Sequence, residues 1–173
     1  MTRLGAIGPT RDYTMRMTDL IKTALYLLIQ ATWGLPQTVA GLVVWLACWG
    51  CPRSRYRCAF VTTWRRRDGL SLGPFVFMPD MLTGATNADR NFHTRLSQEL
   101  LVHEYGHTIQ SLVFGPLYLP VFAIPSFVWA GAPAFRRRRR EGRAYYYDFY
   151  PEKFANRLGE RVTGLRAPHK REK

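Results

Sequence analysis

The sequence predicts an α+β fold: a β-hairpin or small sheet packed with a few helices, preceded by an apolar helical hairpin. Three observations carry that reading. Apolar residues recur at helical spacing from Leu96 to Val113. Two short runs, 57–64 and 70–78, are rich in β-branched and aromatic residues and flank a polar turn at Arg66-Arg67-Asp68-Gly69. Between Leu20 and Gly50 the only charged residue is Lys22. A chain of 173 residues is sized for one domain with a core of its own. It divides into a mobile polar tail (1–19), the apolar hairpin (20–50), a main domain (51–165) and a basic tail (166–173).

The apolar stretch starts too late and runs too long for a cleavable signal peptide. Gly34-Leu35-Pro36 breaks it into two arms, each short for a bilayer span, which takes about 20 residues. One kinked spanning helix and one re-entrant hairpin both fit that length. Arg3, Arg11 and Arg16 precede the stretch, and a group from Arg53 to Arg67 follows it. Positive charge on both flanks favours a hairpin whose ends stay on the cytoplasmic face. A core hairpin in a soluble protein is the competing reading.

The net charge of +13 is concentrated rather than spread. Arg53, Arg55 and Arg57, then Arg65 to Arg67, then the five arginines 136–140 each border an apolar segment. That arrangement suits an anionic lipid membrane as partner. No helix-turn-helix, zinc-finger or RNP-like pattern accompanies the arginines, so nucleic acid is not an expected partner. Cys48, Cys51 and Cys58 are odd in number, which argues against a disulfide framework and for a reducing, cytoplasm-facing location. The Cys48–Cys51 pair lacks a second pair and reads as structural or as an acylation site.

The runs 57–64 and 70–78 read as a β-hairpin, with Pro74 demoting the second strand to an edge. Such an edge can accept an extended peptide by β-augmentation or simply be a sheet edge. Residues 79–95 read as a polar connection. A helix then starts near Ser97, with Gln98 and Glu99 behind it, and stops at Gly115-Pro116. The uncharged segment 112–130 holds Pro116, Pro120 and Pro125, which rule out one straight helix. Irregular backbone so apolar must dip into an interface or wall the site.

Residues 103–107 read His-Glu-Tyr-Gly-His. On a helix, His103 and His107 share a face and can supply two corners of a tetrahedral zinc site. Glu104 lies one step round, placed to act as general base toward a water. Gly106 weakens the helix; close passage near the metal or packing against a neighbour would each explain it.

A catalytic zinc needs a third protein ligand and one open position. Downstream, Glu152 stands one helical turn before Asn156, just after Pro151. Glu152 can ligate, and the Asn156 side-chain oxygen can orient a histidine from behind. Asp148, His93 and Glu160 are the other candidates for the third position. Here the chain resembles the gluzincins, thermolysin-like metallopeptidases whose HExxH is followed by a ligand Glu on a second helix and an acidic residue one turn on. Asn156 stands in place of that acid. The resemblance implies a minimal zincin-like fold, built from the active-site helix, the Glu-bearing helix and the β-element. Thermolysin-like enzymes also use a phenol or imidazole to steady the oxyanion, a role open to Tyr147, Tyr150 or His93. An interfacial aromatic belt is the competing use of Tyr145, Tyr146, Tyr147 and Tyr150.

A further resemblance covers roughly Leu20 to Gly159. Its blocks are Trp33–Thr38 (WGLPQT), Ser71–Gly73 (SLG), His103–Ser111 (HEYGHTIQS), Gly115–Leu119 (GPLYL) and Phe149–Asn156 (FYPEKFAN). Together they are similar to a family of small bacterial membrane proteins. That likeness implies that the hairpin, the histidine helix and the Glu segment belong to one design, and it supplies no substrate. The expectation is a hydrolase on the cytoplasmic side of a bacterial membrane, cleaving peptide bonds of membrane-proximal peptide or protein substrates with one Zn²⁺ per chain. Amide or ester hydrolysis on a lipid or cell-wall precursor uses the same groups, and a scaffold with structural zinc needs no water position at all.

Overall fold

In the computed structural model, residues 17–81 and 87–169 are described. Helix α1 (Met17–Thr32) and helix α2 (Leu35–Ala47) are the two arms of the apolar stretch, bent by 100° at the Trp33-Gly34 corner. Pro36 sits in the first turn of α2, where its missing N–H has no partner to lose. Strands β1 (Arg53–Tyr56), β2 (Ala59–Trp64), β3 (Leu70–Leu72) and β4 (Phe75–Pro79) follow. Helix α3 (Asn87–Phe114) is 28 residues long, about 42 Å. After a 3-10 turn (Gly115–Leu117) and a π-helical turn (Leu119–Ala123) come α4 (Ile124–Gly131) and α5 (Pro133–Arg140). A second 3-10 turn (Tyr146–Asp148) leads into α6 (Tyr150–Thr163), which ends on Gly164 in the left-handed conformation, φ 72°.

The class is α+β as expected, but the strand pairing is not. The order is β1-β2-β4-β3, with β2 and β4 parallel and the outer pairs antiparallel. The run 70–78 is therefore two strands, folded back at Gly73 (φ 57°) and Pro74. No side chain fits at Gly73, because the turn lies against Thr38 of α2. Pro74 lies in that turn, and β4 is interior rather than an edge; the edge beside α3 is the three-residue β3. Hydrophobic alternation locates strands but carries no information on their direction, which is why a simple hairpin was the expectation.

Every residue of β4 is buried because both sheet faces are covered. Ala59, Val61, Val76 and Met78 pack with Tyr105, Leu101 and Ile109 of α3. On the opposite face Trp64, Phe75 and Phe77 pack with Val44 and Trp45 of α2. The sheet thus lies between α2 and the motif helix, while α1 reaches α3 directly. Helix α3 begins ten residues before the expected start, and its mainly polar first part, largely exposed from 89 to 95, is invisible to a search for apolar periodicity. It stops at the expected place, where Gly115 has φ 51°. Beyond it the proline-bearing segment bends away by 119°. Among the described residues no single helix is long and apolar enough to cross a membrane. Residues 1–16 of the expected N-terminal tail and 170–173 of the C-terminal one lie outside the described residues; Ala167 and Pro168 fold back and are buried.

Candidate metal centre

Helices α3 and α6 meet through glycine. A Cβ on Gly106 would collide with the Ala155 carbonyl, and one on Gly159 with the Val102 carbonyl. Of the two reasons open for Gly106, packing against a neighbouring helix is the one realised. This close approach carries Glu152, in the first turn of α6, to the two histidines of α3. The rings of His103 and His107 are 4.7 Å apart, edge to face. Glu152 Oε2 lies 3.1 Å from His103 Nε2 and 3.6 Å from His107 Nε2. One ligand atom from each residue falls within 4.8 Å of the others, and all three side chains are buried.

Each imidazole is held from behind. His103 Nδ1 donates to Asn156 Oδ1 at 2.6 Å, and Asn156 Nδ2 donates to the Pro168 carbonyl at 2.6 Å. His107 Nδ1 donates to Gln110 Oε1 at 2.7 Å, and Gln110 Nε2 donates to the Pro151 carbonyl at 2.8 Å. With the Nδ1 protons so used, both Nε2 atoms face Glu152, and each offers a lone pair to an ion that displaces a proton there. Glu152 Oε1 accepts from Ser126 Oγ of α4, while the buried Oε2 has no aligned hydrogen bond. Two nitrogens and one orphaned carboxylate oxygen therefore converge on a common point. This donor set can hold a metal ion.

The electrostatics agree. Burial opposes charge on His107, but the Glu152 carboxylate, with Glu104 and Gln110, raises its pKa to about 9 in the metal-free chain. Burial likewise favours a neutral Glu152, yet His103 and His107 hold its carboxyl well below the usual range. A fully buried carboxylate here demands a positive partner, a proton or a cation.

Glu104 sits beside this set and outside it. Its Oε2 accepts from Ser71 Oγ at 2.7 Å, and the same hydroxyl reaches the Glu104 carbonyl at 2.9 Å. Ser71 is on edge strand β3, and its own carbonyl accepts from Tyr118 Oη at 3.1 Å. Gly69 passes so close that any side chain there would strike the Glu104 carboxylate. Tyr147 lies edge-on to His103 at 5.0 Å; burial first, then the Glu104 and Glu152 charges, push its phenol pKa up and keep it a donor.

The other candidates lie elsewhere. His93 is ten residues before His103 on the same helix, about 15 Å along its axis, and packs on Phe92. Tyr150 is exposed, and its hydroxyl donates to the Val121 carbonyl at 2.5 Å. Asp148 is exposed, and Glu160 pairs with His169 at 2.6 Å. Three contributors were not picked out in the sequence: Gln110, Ser71 and Ser126. Gln110 had a legible signal, an amide one turn after a ligand on the same helix face. Ser71 and Ser126 had none, since each reaches the site from a distant element. Comparison of the chain with protein families, curated proteins and solved structures gives no match.

Proposed function

We propose that the chain is a membrane-associated, zinc-dependent metallopeptidase of zincin-like design, with His103, His107 and Glu152 holding one Zn²⁺. The observation that carries this reading is Glu104: a buried carboxylate beside the donor set, anchored by Ser71, that is not itself a member of it. A structural site gains nothing from such a group, whereas hydrolysis needs a base there. Two imidazole nitrogens and one carboxylate oxygen suit zinc and leave a coordination position for water.

The chemistry an ion supplies there when bound is Lewis acidity, which acidifies water and polarises a carbonyl. The chain's own residues do the rest. Ser71 fixes the Glu104 carboxylate, which takes a proton from the attacking water and hands it to the leaving amine. Tyr147 offers a protonated phenol toward the developing oxyanion. Gln110 and Asn156 keep the imidazoles oriented.

Exposed Leu, Val, Ile and Phe side chains on α1, α2 and α4 support membrane association. The arginine clusters beside them favour anionic lipid and the cytoplasmic face of a bacterial membrane; a membrane-proximal peptide is the substrate this placement suits. Ser126 also favours a second reading, amide or ester hydrolysis on a lipid-linked precursor. It touches Glu152 while Phe127 beside it is 75% exposed, so the apolar surface begins next to the chemistry.

The test is Glu104→Gln. Zinc content should stay unchanged, while cleavage of a peptide library presented in detergent or vesicles should fall by orders of magnitude. A library left intact by the zinc-loaded wild type, with a lipid-linked amide or ester cleaved, would move the assignment to the second reading. An unchanged rate in Glu104→Gln would falsify the base role.

A further inference from the structure

Two bent helix pairs carry apolar surface that nothing among the described residues covers: α1 with α2, and the end of α3 with the segment through α4. Their corners meet. A Cβ on Gly115 would collide with the Trp33 ring, and Gln37 Nε2 donates to the Gly115 carbonyl at 2.9 Å. Trp33, Leu35 and Leu117, at these corners, are exposed. Away from the corners the chain turns basic, with Arg53 and Arg55 after α2 and Arg136 to Arg140 after α4. The Arg53 guanidinium lies over Trp45 at 3.6 Å and faces Trp49 at 5.2 Å. Cations set on indole rings suit a boundary between an apolar layer and an anionic one.

We infer that both pairs enter one leaflet of an anionic bilayer corner first and return to the face they left, so that no part of the described chain crosses. This rests on the membrane half of the proposed function and is independent of the metal. The lengths support it. Helices of 16 and 13 residues reach about 24 and 20 Å against a hydrocarbon core of about 30 Å. Straightening the pair into one span is blocked by buried hydrogen bonds. Gln30 Nε2 donates to the Thr108 carbonyl at 3.0 Å, Ser111 Oγ donates to Gln30 Oε1 at 2.9 Å, and Gln37 Nε2 donates to Ser111 Oγ at 3.0 Å. Gly41 of α2 is pressed against Leu72 and Phe75 of the sheet. A spanning form would open these contacts in hydrocarbon, where no water replaces them. The occupant is a leaflet and not a second copy, because the covering surface must neutralise a chain of net charge +13.

The experiment reads topology on the full chain. Epitope tags at both ends and a single cysteine at Arg65→Cys, in a Cys48→Ala/Cys51→Ala/Cys58→Ala background, are probed in sealed vesicles of known orientation with protease and an impermeant maleimide. All three reporters should respond from one side; any reporter on the opposite side overturns the inference. A second readout avoids the cysteine changes. The untagged chain should float with phosphatidylglycerol-containing vesicles, and Leu28→Glu/Val43→Glu should lower that bound fraction at least tenfold with an unchanged circular dichroism spectrum. A chain that stays soluble without detergent, as monomer or dimer, overturns it too, whatever its zinc content.

Discussion

Both ligand histidines lean on amide oxygens, Asn156 behind His103 and Gln110 behind His107, and both amides spend their N–H on backbone carbonyls. This fixes each amide's orientation and therefore each imidazole's tautomer. Asn156→Ala and Gln110→Ala should each weaken zinc binding about 10- to 100-fold, measured by competition with a chromophoric chelator. His103→Ala and His107→Ala should lose most of the zinc; full retention in both would remove the site. Ser126 acts on the carboxylate side. By occupying Glu152 Oε1 it leaves only Oε2 for an ion, a one-oxygen ligand. Ser126→Ala should free that oxygen and raise the coordination number, seen as weaker visible bands in the cobalt-substituted chain. Ser126→Thr should restore them.

At the scale of elements, the site depends on how closely α6 approaches α3. Gly106 and Gly159 set that distance, because each faces a backbone carbonyl of the other helix. Gly159→Ala should lower stability by about 1–3 kcal/mol in denaturant titration and reduce zinc affinity along with it, since α6 carries Glu152. The reverse coupling holds as well. An ion shared between α3 and α6 binds only the folded form, so at a thousandfold excess over its Kd it contributes about 4 kcal/mol. Chelation should lower the melting temperature of the wild type and leave that of His103→Ala unmoved.

Across the whole molecule, the hairpin and the motif helix are joined by buried polar contacts. Gln30 and Gln37 are fully buried, and their amides end on Thr108, Ser111 and Gly115, just beyond His107. Apart from Tyr26 of α1 and the Val44 and Trp45 side chains that pack on the sheet, most large apolar side chains of α1 and α2 face outward, the reverse of a soluble helical hairpin. Gln37→Leu removes donors to Ser111 and Gly115 and should cost about 1–3 kcal/mol. It should also speed proteolysis at the Trp33–Leu35 corner. Equal cleavage rates in mutant and wild type would show that the hairpin is held by something else.

Much of this arrangement was legible in the residues alone. The i, i+4 spacing of His103 and His107 puts both rings on one helix face wherever the helix lies, and Glu104 must then stand beside them. Gly34 and Pro36, like Gly115 and Pro116, mark breaks because they act on their own backbone. Glu152 with Asn156 was readable for the same local reason, one turn apart on one helix. What lay beyond reach were facts about direction and distance between elements. Alternating apolar residues place β2 and β4 without saying that they run parallel, and the polar start of α3 has no periodicity to detect. His93, Tyr147 and Tyr150 were equal candidates by residue type; the rigid length of α3 takes His93 away, the Val121 carbonyl takes the Tyr150 hydroxyl, and only Tyr147 stays beside His103. Ser71 and Ser126 became part of the site only when β3 and α4 were brought against it. Sequence by itself determined what sits within a helical turn, because bond geometry dictates it. Tertiary structure alone decided which distant hydroxyl, amide or phenol meets the donor set, because that follows from how whole helices and strands pack.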